Sequence, residues 1–157
     1  MEAHKRFGFS QGTLFLAVAY IDWFLSVQTI RYSDMTLVGV VALFITAKMG
    51  ERKCPKPFEF ATGSEDITAS CIVEGERIML QRLSFALSSP EPGAYYRRAR
   101  VGELVNRDVD LRTSYFLEVM MDKFFIGYQQ SHLPVAAVNF VSGKRDWTEN
   151  LASTYGY

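Results

Sequence analysis

At 157 residues the chain is long enough for one substantial core or two small ones. Its 48% hydrophobic and 22% charged residues make an ordinary globular composition. Seventeen basic residues balance seventeen acidic ones, which leaves no overall pull toward nucleic acid or anionic lipid.

Met1–Arg6 lacks the apolar core and small-residue site of a signal peptide, and none is expected. The apolar runs Leu14–Ile21 and Leu37–Ile45 fall short of the roughly 20 residues that cross a bilayer. No membrane association is expected. Cys54 and Cys71 form no disulfide framework, so the expected compartment is reducing, cytosol or nucleus.

Residues Leu14 to Leu25 are apolar on every side except at Asp22, which predicts a central buried helix with Ser10 as a cap just upstream. Met35 to Lys48 has the same character. It is entered through Ser33-Asp34 and stopped by Gly50, Pro55 and Pro57. Two such runs about 12 residues long fit buried strands poorly, and they imply further helices wrapped around them. A third helix is predicted from Thr68 to about Leu83, with Ile72, Met79, Leu80 and Leu83 on one stripe.

The connector Ser88–Gly93 is dense in Pro, Ser and Gly and predicts a boundary between residues 1–88 and 89–157. Beyond it the pattern returns more weakly, with helices predicted at Tyr95–Val101, Leu111–Phe125, Pro134–Ser142 and Trp147–Tyr155. Val119–Phe125 echoes Ala19–Leu25, and Val135–Phe140 echoes Val40–Phe44, the mark of a duplicated helical unit.

Two charges interrupt apolar stripes. Glu76 falls one turn after Ile72 and one turn before Leu80, and Lys48 extends the Val41–Phe44–Ile45 stripe at the negative end of its helix. A charge there is costly unless paired. Either the two pair with each other at an edge of the core, or together they offer a cation and an anion to another protein. Asp22 needs a cation from another segment.

Catalytic constellations are missing from the sequence. His4 and His132 have no ligand-spaced neighbours, so no metal is expected, and no cofactor-binding loop or nucleophile elbow is present. Tyr95–Arg100 mixes aromatic and basic residues, as a nucleic-acid patch does, but such a run is more often a solvated helix face, and the neutral net charge favours that reading.

The run Thr13–Ser26 resembles the cyclin-box stretch that usually reads Ala-Val-Asn-Tyr-Ile-Asp-Arg-Phe-Leu-Ser. Leu37–Lys48 is similar to the next box helix, which ends in Ala-Ser-Lys, and Glu76–Leu87 to the helix that closes the first box. Tyr95–Arg98 and the Trp147–Tyr157 stretch resemble B-type cyclins in the second box.

The resemblance implies an all-α fold of two tandem cyclin boxes, both incomplete. It implies a non-catalytic subunit that binds and activates a cyclin-dependent protein kinase in G2/M control, in nucleus and cytoplasm, with no small-molecule substrate. It also implies a kinase-binding surface of Ile45, Lys48, Met49, Glu76, Leu80, Phe85 and Leu87.

The sequence departs from the family pattern in several places. The first box helix, with its Met-Arg-Ala-Ile-Leu motif, would precede residue 4, and the last helix of the second box is absent. Thr36 stands for a cleft glutamine, Trp23 for the arginine after Asp22, and Gly50-Glu51 for an acidic pair. These departures predict loss of the substrate cleft, low stability of the isolated chain, and a substantially buried Asp22 served by Lys5 or Arg6. The alternatives are a cyclin-fold transcription factor of the general-initiation type, binding nucleic acid through Arg97, Arg98 and Arg100, or a non-functional fragment.

Overall fold

The computed structural model describes residues 2–61, 66–87, 107–120 and 132–142, and among them every regular element is a helix. The protein is all-α. Its contacts divide it into two units, Met1–Ser89 and Pro90–Tyr157.

In the first unit, α1 (Glu2–Phe7) leads through a left-handed Gly8 into α2 (Gln11–Val27). Ser10 caps α2, its hydroxyl accepting from Thr13 N at 3.3 Å, and so satisfies one of the orphan donors of the first turn. A 3₁₀ turn, Tyr32–Asp34, feeds α3 (Met35–Gly50). After the short α4 (Pro57–Ala61), Thr68 caps α5 (Ala69–Arg82), accepting from Cys71 N at 3.2 Å. The sequence places these three long helices to within three residues.

Their burial differs from expectation in one respect. Helix α3 is the central one, buried without interruption from Val41 to Ala47. Helix α2 buries Phe15, Ala17, Tyr20 and Phe24, but it leaves Trp23, Leu25 and Val27 exposed. An all-apolar composition marks a helix for the core without saying how many of its faces find neighbours.

Together the 3₁₀ turn and α3 make a 19-residue helical stretch, Tyr32–Gly50, with mean hydropathy 1.4. That stretch meets the length and composition of a membrane span, which corrects the shorter estimate from the apolar run alone. Its Val38 and Val41–Ala47 are instead packed in the first unit's core, as in the central helix of a bundle. Thr46, fully buried there, returns its hydroxyl to the Ala42 and Leu43 carbonyls at 3.0 and 3.1 Å.

The short helices are held by aromatic rings. Phe7, Phe9 and Phe60 lie with centroids 4.8 to 6.0 Å apart, and Phe44 meets Phe60 edge-on at 5.3 Å.

In the second unit, α6 (Arg107–Val119) packs on α7 (His132–Ser142), with Phe116 against Phe140 at 4.5 Å and Leu117 buried. Helix α6 begins four residues earlier than predicted, because Asp108 and Asp110 favour a helix N-terminus. The helices predicted at Tyr95–Val101 and Trp147–Tyr155, and the C-terminal part of Leu111–Phe125, lie outside the described residues.

Candidate docking edge on the first unit

The last turn of α3 and the middle of α5 meet at a single charged contact. Lys48 Nζ donates to Glu76 Oε1 at 2.6 Å. The lysine side chain keeps 46% of its exposure and the glutamate 16%, so the pair sits at the rim of the core. Lys48 also lies 4.9 Å from the Phe44 ring centroid and near the negative end of the α3 dipole, which adds two further attractions.

The close approach of the two helices is made possible by Gly75. A Cβ there would stand 2.7 Å from Val41 Cγ2, well inside contact distance. The missing side chain lets α5 settle on α3, and the next residue, Glu76, then reaches Lys48.

Met49 follows Lys48, Leu80 lies one turn after Glu76, and Phe85 and Leu87 follow the end of α5. Met49 and Phe85 are exposed at 51% and 64%, while Leu80 and Leu87 are half-buried. Ile45, also expected in the kinase-binding set, is buried: at 2% exposure it belongs to the core beneath this edge. It lies one turn before Lys48, and its face of α3 is covered by the packing of the first unit.

Phe85 is presented by an unusual turn. Helix α5 ends in a Schellman arrangement, with Phe85 N donating to Leu80 O at 2.9 Å and Ser84 N to Gln81 O at 3.1 Å. The left-handed position that normally takes glycine is Ser84, at φ 52°, and Phe85 follows at φ 55°. Each costs roughly 1–2 kcal/mol relative to a right-handed residue, so the turn must be held by its surroundings.

Periodicity offered no sign of two further ties. Tyr20, fully buried on α2, donates its hydroxyl to Leu87 O and approaches Met49 Sδ at 3.5 Å. Glu51, just past α3, accepts from Ser10 N at 2.7 Å and Thr13 Oγ1 at 2.5 Å, adding a carboxylate to the Ser10 cap. Burial raises the Glu51 pKa, but those hydrogen bonds from Thr13 and Ser10, with the nearby His4, outweigh it and hold the carboxyl below its ordinary value.

Asp22 is only half-buried, where substantial burial was expected, and no described residue pairs with it. Desolvation pushes its carboxyl up. Arg6 does not serve it: its guanidinium donates to the Glu59 carbonyl and lies 4.7 Å over the Phe7 ring. Arg97, Arg98 and Arg100 lie outside the described residues.

Residues 1–88 match the family described as the cyclin N-terminal domain. The chain is 34% identical over 164 residues to the G2/mitotic-specific cyclin-B of Emericella nidulans, covering 100% of this chain and 34% of that protein. It is 36% identical over 165 residues to the G2/mitotic-specific cyclin-4 of Candida albicans, covering 100% of this chain and 33% of the relative. The G2/mitotic-specific cyclin-B2 of Oryzias latipes is 34% identical over 142 residues, 88% of this chain and 36% of its own length. The chain belongs to the cyclin family, and its relatives are of the mitotic, B-type kind. It spans about a third of the length of the curated relatives it matches.

Proposed function

We propose that this chain is a regulatory subunit that docks on a cyclin-dependent protein kinase and activates it in G2/M control, in nucleus and cytoplasm. The chain performs no chemistry of its own. It acts by binding, moving the kinase's glutamate-bearing helix so that the kinase's Lys–Glu pair and metal site assemble. The observation that carries this reading is the Lys48–Glu76 pair, held at 2.6 Å on a rim of exposed Met49 and Phe85 and half-buried Leu80 and Leu87. A fixed cation and anion in apolar surroundings suit backbone carbonyl and amide groups of a partner. Ile45 supports that rim from below. The family match and the mitotic names of the relatives point the same way.

The test is binding of the 157-residue chain to a purified mitotic cyclin-dependent kinase, followed by histone phosphorylation. Lys48→Ala and Glu76→Ala should each weaken the complex by about tenfold or more. Wild-type affinity in both variants would overturn the docking edge.

A further inference from the structure

Helices α3 and α5 end at Gly50 and Arg82, and a single buried group on a third helix reaches the chain just past or at both ends. Tyr20, in the middle of α2 and fully buried, donates its hydroxyl to the Leu87 carbonyl, and its oxygen stands 3.5 Å from Met49 Sδ. Met49 is the exposed apolar residue beside Lys48, and Leu87 closes the turn that presents Phe85.

That turn is held against its own preference. Ser84 and Phe85 are both left-handed, without the glycine that such a position favours. Within the turn, Leu87 N donates to Phe85 O at 2.9 Å, so the Leu87 backbone is held at its N–H by Phe85 and at its carbonyl by Tyr20. Packing alone would be met by phenylalanine, since the ring already stacks on Trp23 at 6.0 Å. The hydroxyl adds a polar tie that reaches both ends. Burial also pushes the phenol's pKa up, so it remains a donor across neutral pH.

We infer that Tyr20 is a positioning residue for the docking edge, its hydroxyl fixing Met49 and the Phe85–Leu87 turn in the arrangement a kinase meets. The inference rests on the proposed kinase docking. The plainer role for the hydroxyl is satisfaction of a buried polar group, and the experiment separates the two.

Tyr20→Phe in the 157-residue chain should keep its helical content and weaken binding to a purified mitotic cyclin-dependent kinase by about three- to tenfold. In a Phe85→Ala background the same change should cost less than about twofold, because the presented ring is gone. Ser84→Gly, which relieves the left-handed strain, should restore much of the affinity lost in Tyr20→Phe. Equal losses in both backgrounds, or unchanged affinity in Tyr20→Phe, would overturn the inference.

A readout without kinase stands beside it. The φ-sensitive backbone coupling of Phe85 should shift away from its left-handed value in Tyr20→Phe, and an unchanged coupling also overturns the proposal. If Lys48→Ala and Glu76→Ala both bind normally, the docking reading fails by itself, and the coupling still decides whether Tyr20 sets the turn.

Discussion

A methyl group at Gly75 would stand 2.7 Å from Val41 Cγ2, so the contact between α5 and α3 admits no side chain at this point. Gly75→Ala should force the helices apart and destabilise the first unit by about 1–3 kcal/mol. Its intrinsic gain in helix propensity, about 1 kcal/mol, works in the opposite direction. Adding Val41→Ala should recover part of the loss by opening space. Thermal unfolding of the two single variants and the double variant measures this, and additive losses would contradict the steric account.

Lys48 and Glu76 should matter far more to binding than to folding. The lysine is nearly half exposed, and a double-mutant cycle on stability should give a coupling of about 0.2–1 kcal/mol that shrinks as salt is raised. A coupling well above that range, insensitive to salt, would mark the pair as a core element.

Asp22 sets the sign of one pH dependence. Its folded carboxyl is raised by desolvation, so between the unfolded value, about 3.9, and the raised native value the folded state holds more protons. Stability therefore falls as pH rises through that window. Asp22→Asn should remove this contribution and stabilise the chain at pH 7 by up to about 1 kcal/mol. The gap should close as pH is lowered through the native pKa. Unfolding curves from pH 3 to 8 check it.

Glu51 acts with the opposite sign. Burial raises its pKa, but the hydrogen bonds from Thr13 and Ser10 prevail and lower it, so its contribution is present above the unfolded value, about 4.3. That contribution is lost as pH falls through the folded pKa. Glu51→Gln should destabilise by about 1 kcal/mol at pH 7, with the difference vanishing in acid. A difference constant down to pH 3 would assign the effect to shape and not to charge.

The helices α2, α3 and α5 were legible because each carries local signals: an apolar run or stripe, the Ser10 cap, and Gly50 with prolines beyond. Lys48 and Glu76 were legible for a related reason, since each breaks an apolar stripe on its own helix. The depth of Ile45 was not, because a stripe gives the direction of a side chain and not the number of layers above it. Tyr20 to Leu87 and Glu51 to Ser10 span 67 and 41 positions and obey no period. Gly75 carries no local signal of its role, which depends on Val41 of another helix.

The phenylalanine contacts of Phe7, Phe9 and Phe60 have a consequence for how the first unit opens. Helices of six and five residues are too short to persist alone in water. The rings of Phe7 and Phe9 cover Phe60, and Arg6 reaches the Glu59 carbonyl as a second fastening, while Phe44 of α3 holds Phe60 from the other side. Arg6 and Glu59 lie 53 positions apart in sequence, yet the amides of Glu2–Phe7 and Pro57–Ala61 should lose protection from solvent deuterium ahead of those of the α3 core, to which Phe60 is pinned by Phe44.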